Sequence, residues 1–99
     1  MLLTIDIGNT NITLGLYVGP ELGPRWRVRT VLERTADEYG LQLLGFFDHA
    51  GVDVGRIDAI AMASVVPPLT GTFVQACQRY LDCEPLVVDA GVKTGVRVL

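Results

Sequence analysis

The sequence predicts an α/β domain built on one mixed sheet. Three strand-like segments open the chain, and a helix, a strand, a second helix and a further strand follow them. Strands joined by tight turns favour an antiparallel meander, whereas strands joined through helices favour parallel pairing. We therefore expect a three-stranded antiparallel meander that parallel strands continue on one side.

The predicted meander occupies the first part of the chain. Residues 2–7 (LLTIDI) and 12–18 (ITLGLYV) are rich in aliphatic and β-branched side chains, and the four residues between them predict a hairpin. Residues 19–24 (GPELGP) have the composition of a turn. Residues 25–32 (RWRVRTVL) alternate polar and apolar side chains, which predicts a third strand.

The spacing of the apolar residues changes to a helical period after the meander. Thr35 and Glu38 have the spacing of a capping box, aromatic and leucine residues recur at helical intervals over 39–47, and Gly51 marks a stop. A helix is therefore predicted between Thr35 and Gly51.

The second half of the chain predicts a strand, a helix and a strand. Residues 57–66 (IDAIAMASVV) hardly alternate, which predicts a strand covered on both faces in the middle of the sheet. Pro67 and Pro68 end this strand and suit the first turn of a helix, which the apolar spacing predicts over 69–81. Residues 85–89 (PLVVD) predict the next strand.

Composition and charge restrict the classes of function. The 99 residues are 49% hydrophobic with a formal net charge of −3, as in an ordinary globular domain. The basic residues are scattered apart from Arg25, Arg27 and Arg29, which fit one exposed strand face, so nucleic acid is not an expected partner. No apolar run reaches the ~18 residues of a membrane span. Cys77 and Cys83 lack the spacing of zinc ligands, so a structural zinc site is not expected. We expect instead two free thiols in the reducing environment of the cytoplasm.

The turn between the first two predicted strands carries the clearest chemical signal. Asp6 lies near the end of an aliphatic strand, where an ionised carboxylate among aliphatic neighbours would need hydrogen bonds or a cation. Mg²⁺ is usually bound by one or two carboxylates together with waters and phosphate oxygens, so one aspartate is a sufficient protein ligand. Gly8 leaves room for a phosphate beside the backbone, and Asn9, Thr10 and Asn11 supply donors.

Two positions have alternative interpretations that involve no ligand. A plain hairpin turn of type II′, in which Asn and Thr satisfy the backbone of the turn, also explains residues 8–11. Ser64 ends a predicted parallel strand, where it could face a ligand cleft or cap the following helix.

Five blocks of the sequence, in order and at matching spacing, resemble one enzyme family. The blocks are DIGNTN (6–11), WRVRT (26–30), TADEYG (35–40), SVVPPLT (64–70) and VVDAGVKTG (87–95). They resemble the opening part of the type III pantothenate kinases along essentially the whole chain. The resemblance implies an actin, Hsp70 and sugar-kinase type of nucleotide-binding fold with a ribonuclease H-like core. Residues 1–99 would be its amino-terminal nucleotide-binding domain, about half of such a kinase fold.

The resemblance also implies a reaction and a set of binding residues. The reaction would transfer the γ-phosphoryl group of ATP to the terminal hydroxyl of pantothenate, the first step toward coenzyme A. The implied ATP-phosphate-binding residues are Asp6, Gly8, Asn9, Thr10, Asn11 and Thr13. Asp6 would hold the hydrated Mg²⁺ ion, and a transfer of this kind needs mainly positioning and charge neutralisation. A homodimer and a monovalent cation, K⁺ or NH₄⁺, are further implications.

The chain departs from the family pattern in one loop and in its extent. Residues 89–91 (DAG) stand where the family usually has Gly-Pro-Gly, so Lys93 and Thr94 fit either a substrate or phosphate loop or a solvated loop. The family's Gly-Ala-Asp-Arg motif, with the general base, does not occur within the sequence. We therefore expect the base beyond Leu99 and no turnover from this chain alone. The alternatives are a noncatalytic relative that uses the fold for protein contacts and another kinase of the same superfamily that acts on a different alcohol.

Overall fold

The computed structural model describes residues 1–89, which form a five-stranded mixed sheet with helices packed on one face. The strands are β1 (Leu2–Ile7), β2 (Asn11–Val18), β3 (Glu21–Arg29), β4 (Ala59–Ser64) and β5 (Leu86–Asp89). The helices are α1 (Ala36–His49) and α2 (Pro67–Ala76), with a 3₁₀ turn at Val54–Arg56 and a π-helical turn at Cys77–Leu81 that continues α2.

The strand order across the sheet is β3-β2-β1-β4-β5. β2 pairs antiparallel with both β1 and β3, whereas β4 pairs parallel with both β1 and β5. Helix α1 lies in the connection from β3 to β4, and α2 lies in the connection from β4 to β5. The predicted mixed sheet, an antiparallel meander followed by helix, strand, helix and strand, is confirmed.

One face of the sheet forms the core together with the helices. Alternate residues of β1 and β2 are buried there, because successive side chains of a strand point to opposite faces: Leu3, Ile5, Ile7, Ile12, Leu14 and Leu16. The helices contribute the buried side chains of Tyr39, Leu43, Phe47, Leu69 and Phe73. Burial of this contiguous apolar cluster is the main stabilising term of the described chain.

Helix α1 begins as the sequence predicted. The Thr35 hydroxyl accepts a hydrogen bond from the N–H of Glu38 at 3.2 Å, and the Glu38 carboxylate accepts one from the N–H of Thr35 at 2.8 Å. The hydroxyl of Tyr39 ties the helix to the chain that leaves β3, since it donates to the carbonyl of Val31 and accepts from the N–H of Val31. The predicted capping box is confirmed, and it sets the residue at which α1 begins.

The opposite face of the sheet is covered by no described element. This open face carries the side chains of Asp6, Thr13, Ala61 and Leu86, which are exposed or half-buried. The prediction that β4 is covered on both faces is therefore wrong for the described residues, because Ala59 is exposed and only the alternate positions enter the core. Because the open-face residues of β4 are alanines, the strand is apolar from Ala59 to Ala63, and its sequence does not show which side chains enter the core.

The ends of several elements differ from the sequence predictions. β3 begins at Glu21, so Gly23 and Pro24 belong to a strand rather than to a turn. Proline is tolerated on an edge strand because its missing N–H is not needed by a neighbour. β3 also ends at Arg29 and β4 at Ser64, earlier than predicted, whereas α2 starts earlier, at its two prolines.

Candidate functional site

Asp6 is the penultimate residue of β1 and lies on the open face. Its neighbours Ile5 and Ile7 are buried on the core face, whereas the Asp6 side chain is exposed. The expectation that this carboxylate lies among aliphatic side chains is wrong, because strand alternation directs them to opposite faces. No described residue forms an ion pair with the carboxylate, so its oxygens are accessible to a ligand from solvent.

The turn that follows β1 is closed by a hydrogen bond from the Gly8 N–H to the Asn11 carbonyl at 3.0 Å. No residue from Gly8 to Asn11 has a positive φ, so a type II′ turn, which requires one at its first central residue, is excluded. Gly8 is needed for space rather than for an unusual conformation, since a Cβ there would lie 3.0 Å from the Asn11 carbonyl oxygen.

The turn also holds donors that have no partner among the described residues. The N–H groups of Asn9 and Thr10 make no hydrogen bond within residues 1–89. The side chains of Asn9, Thr10, Asn11 and Thr13 are exposed, and Thr13 is paired with Asp6 across the strands. Successive N–H groups in a turn form a concavity that binds anions. The turn therefore offers hydrogen-bond donors beside an accessible carboxylate.

Thr30, to which the sequence analysis gave no role, holds this turn from the end of β3. Its hydroxyl donates to the Gly8 carbonyl at 2.7 Å, and its N–H donates to the Thr10 carbonyl at 2.9 Å. Both carbonyl oxygens, which would repel a phosphate, are thus engaged by one residue. The signal available in the sequence was a threonine directly after the strand that neighbours β2, within the WRVRT block.

The carboxyl ends of the parallel strands meet at the edge that carries this turn. Ile7, Ser64 and Asp89 are in register across β1, β4 and β5, and the Val65 N–H donates to the Ile7 carbonyl at 3.0 Å. The Ser64 hydroxyl accepts from the N–H of Val66 at 3.1 Å. Val66 itself is the N-cap residue of α2, so Ser64 stabilises the strand-to-helix turn and is not the helix cap that the sequence suggested.

The amino terminus of α2 lies beside the turn but offers few donors. Asn9 and Val66 line one depression of ≈ 410 Å³ together with residues 30–33. Residues 67–68 are prolines without an N–H, the Val66 N–H is bonded to a serine hydroxyl, and the Leu69 N–H is bonded to the Val66 carbonyl. An anion at this edge would therefore be bound by the turn rather than by a helix amino terminus.

The titratable groups with perturbed pKa values lie away from this edge. The Tyr80 hydroxyl donates to Asp37 at 2.7 Å and, with a weaker contribution from Arg79, lowers the pKa of that carboxyl, while the same bond raises the pKa of Tyr80. Burial raises the pKa of the Cys77 thiol to about 12, and Cys77 and Cys83 are both free thiols, as expected. The bond between Tyr80 and Asp37 joins the π-helical turn to α1, and none of these groups forms a hydrogen bond with residues 8–11.

Two further observations concern the described part of the chain as a whole. Within residues 1–89, no three His, Cys, Asp or Glu side chains come together as a metal cage, so a metal at Asp6 would need ligands from water or substrate. None of the helices in this part has the length and apolar character that a membrane span requires. Lys93 and Thr94, the candidate substrate or phosphate loop, lie outside the described residues.

The sheet order and the crossover helices define a ribonuclease H-like domain, and solved structures share this fold. A putative N-acetylglucosamine kinase from Porphyromonas gingivalis superposes with a TM-score of 0.64 at 17% identity, over 90% of this chain and 34% of that one. A RuvC protein from T. thermophilus, in complex with a Holliday junction substrate, gives a TM-score of 0.61 at 17% identity, over 90% and 64% of the two chains.

Sequence comparison then identifies the family. A sequence model of the type III pantothenate kinases matches residues 2–99. A type III pantothenate kinase from Anaeromyxobacter sp. (strain K) is 52% identical over 99 residues, which are 100% of this chain and 39% of that protein. One from Dehalococcoides mccartyi is 44% identical over 97 residues, or 98% of this chain and 37% of that protein. The chain belongs to the type III pantothenate kinase family, and it spans about two fifths of the length of these relatives.

Proposed function

We propose that the full-length kinase phosphorylates pantothenate with ATP. By full-length kinase we mean a protein of the length of the relatives, of which this chain is one part. The product would be 4'-phosphopantothenate, in the first step of coenzyme A biosynthesis. Family membership supports the reaction. One observation carries the chemistry in this chain: the N–H groups of Asn9 and Thr10 have no described partner and lie beside the accessible carboxylate of Asp6.

In this proposal the turn binds the phosphates of ATP and Asp6 binds the metal. Gly8, Asn9, Thr10 and Asn11 would surround phosphate oxygens with N–H, amide and hydroxyl donors, and Thr13 would extend this set along β2. Asp6 fits a Mg²⁺ ion, because this cation usually takes few carboxylates and completes its shell with waters and phosphate oxygens. The bound ion would supply charge neutralisation, and the turn would hold the transferred group in position.

The remaining parts of the proposal rest on the family resemblance. ATP and pantothenate are the partners, a monovalent cation (K⁺ or NH₄⁺) takes part, and the full-length kinase is a cytoplasmic homodimer. Lys93 and Thr94 are the candidates for a substrate or phosphate loop, and a solvated loop is the alternative for them. The general base lies beyond Leu99, so this chain supplies phosphate and metal binding rather than the proton acceptor. The net charge of −3 argues against nucleic acid as a partner.

The test measures 4'-phosphopantothenate formed from ATP, Mg²⁺ and pantothenate. We expect product from the full-length kinase and none from residues 1–99 alone, because the latter lacks the expected base. Product from residues 1–99 alone would contradict the proposal that this chain binds phosphate and metal while the general base lies beyond Leu99. Absence of product from the full-length kinase would contradict the proposed reaction.

The second candidate is a noncatalytic relative that uses the domain for protein contacts. The uncovered open face and the altered residues 89–91 favour it. Calorimetry of the full-length protein with ATP and Mg²⁺ separates the two candidates. A kinase binds the nucleotide in a magnesium-dependent way, whereas a protein-contact module binds neither ligand.

A further inference from the structure

We propose that Thr13, Arg25 and Arg27 form an oxyanion-binding subsite on the open face, beside Asp6, which is paired with Thr13. The inference rests on the proposed function and extends it to β3. The ligand group is a phosphate or a carboxylate, and the two sources that fit are the nucleotide and the carboxylate of the acceptor substrate. The kinetic test below distinguishes these sources.

The strand register places the arginines next to the candidate phosphate site. Thr13 pairs with Asp6 on one side and with Arg27 on the other, and Arg25 pairs with Gly15 two residues further along β2. Directly opposed residues of antiparallel strands lie about 4.5–5.5 Å apart at Cα and share a face, so the Cα atoms of Arg27 and Asp6 are about 10 Å apart. An anion above Thr13 would therefore be bordered by a guanidinium and by the candidate metal ligand.

The three side chains line an open depression. Thr13, Arg25 and Arg27, together with Trp26, border a volume of ≈ 460 Å³. Both arginines are exposed, and neither belongs to the ion pairs found within residues 1–89, which join the amino terminus to Asp58 and Arg79 to Asp37. No described carboxylate therefore competes with an incoming anion for these two guanidinium groups.

The strand under the arginines is anchored from the core side. Trp26, which lies between them in the sequence, stacks on Phe46 at 5.8 Å between ring centroids and meets Phe47 edge-on at 5.3 Å. Aromatic pairs in these geometries stabilise beyond their buried area. The backbone from which the guanidinium groups project is thus fixed, which lowers the entropic cost of placing them around a ligand.

The chemistry of the cluster favours a small oxyanion. Positions 25 and 27 lie about 6.6 Å apart on one strand face, so two like charges stand side by side and an anion between them relieves their repulsion. Guanidinium groups bind phosphate and carboxylate through paired hydrogen bonds, and the Thr13 hydroxyl adds a donor. The chain as a whole carries a net charge of −3, so this basic patch is local, which fits one ligand group rather than a nucleic acid.

The experiment compares steady-state kinetics of the full-length kinase with those of Arg25→Gln, Arg27→Gln and the double variant. We expect kcat/KM to fall about 10-fold to 100-fold in Arg27→Gln and further in the double variant, because hydrogen bonds to charged groups are lost. A rise in the KM for ATP assigns the subsite to a nucleotide phosphate. A rise in the KM for pantothenate assigns it to the acceptor carboxylate. Arg27→Lys keeps the charge without the paired donors, so its loss should be intermediate.

Arg56→Gln is the matched control. This exposed arginine lies at the opposite end of the sheet, where the amino terminus donates to the Arg56 carbonyl at 2.8 Å, so its removal should leave both KM values unchanged. Kinetic constants of the double variant within about twofold of those of an active parent kinase would overturn the subsite and leave the proposed function standing. A parent kinase that forms no product overturns the proposed function itself.

Discussion

The two faces of the sheet are built by the same strands and differ in almost every property. On the core face, β1 and β2 carry six buried aliphatic side chains, those of Leu3, Ile5, Ile7, Ile12, Leu14 and Leu16. On the open face, the same two strands carry Asp6 and Thr13, and β3 adds its arginines. Because side chains alternate along a strand, residues next to each other in the sequence face opposite sides of the sheet and have different roles. Substitutions at adjacent positions of β1 should therefore change either the stability of the fold or the binding of a ligand, and not both.

The open face is itself divided into two halves. Its β1 to β3 half is polar and lies beside the turn that holds unpartnered donors within the described chain. Its β4 to β5 half is apolar, with three alanines of β4 and with Leu86 and Val88 exposed at 70% and 52%. Among the described residues of the open face, the groups suited to bind phosphate therefore lie on the meander strands β1, β2 and β3.

The largest expected effect comes from Asp6→Asn in the full-length kinase. Loss of the carboxylate removes the candidate metal ligand, and we expect kcat/KM to fall by about 10²-fold to 10³-fold, as when other groups that stabilise developing charge are removed. The free energy of unfolding should change by less than about 0.5 kcal/mol because the side chain is exposed. Kinetics at increasing Mg²⁺ and urea unfolding measure the two quantities. An unchanged rate would remove Asp6 from the proposed mechanism.

Ile5→Ala tests the opposite face one residue away. Ile5 is 2% exposed, so its truncation leaves a cavity in the core and should lower the free energy of unfolding by about 2–5 kcal/mol. The KM for ATP, measured where the variant is still folded, should remain that of the parent. Urea unfolding and initial-rate kinetics check this. A large change in KM with unaltered stability would show that the two faces are not separable.

Gly40→Ala tests the packing of the helices on the core face. A Cβ at Gly40 would lie on the ring of Tyr80, so the ring must move and its 2.7 Å bond to Asp37 is lost. Overpacking of this kind costs about 1–3 kcal/mol, and the better helix propensity of alanine offsets up to about 1 kcal/mol. We expect a net loss of about 1–2 kcal/mol in the free energy of unfolding.

The control for this variant lies on the same helix. A Cβ at Gly45 meets nothing within 4 Å, so Gly45→Ala should gain about 0.5–1 kcal/mol of stability through helix propensity alone. Thermal or urea unfolding of both variants measures the difference. Equal effects of the two substitutions would contradict the close contact between α1 and the π-helical turn.

Local signals in the sequence predicted much of this structure. The Thr35 and Glu38 capping box, the helical spacing and the order of strands and helices along the chain are local signals, and they were confirmed. The premise that Asp6 has aliphatic neighbours was wrong because the aliphatic composition of β1 was given more weight than its alternation, which directs Ile5 and Ile7 to the core face. The bond between Thr30 and Gly8 joins residues 22 positions apart, so it depends on tertiary geometry that spacing does not reveal.

A small effect on the KM for ATP is expected at Thr30, which lies at the edge of the open face and contacts the turn rather than a ligand. Thr30→Val keeps the β-branched shape and removes the 2.7 Å bond to the Gly8 carbonyl, whereas Thr30→Ser keeps the hydroxyl. One hydrogen bond is worth about 0.5–1.5 kcal/mol, so we expect the KM for ATP to rise about 2-fold to 12-fold in Thr30→Val and to stay near the parent value in Thr30→Ser.

A threonine on α2 provides the comparison that decides what the Thr30 bond does. The Thr72 hydroxyl donates to the Pro68 carbonyl at 3.3 Å, so Thr72→Val loses a hydroxyl-to-carbonyl bond within α2, which packs on the core face of the sheet, and leaves the bonds of Thr30 intact. The KM for ATP should be unchanged in this variant. If Thr30→Val instead lowers only the melting temperature and Thr30→Ser restores it, the bond serves the hairpin alone, and the turn binds phosphate without support from β3.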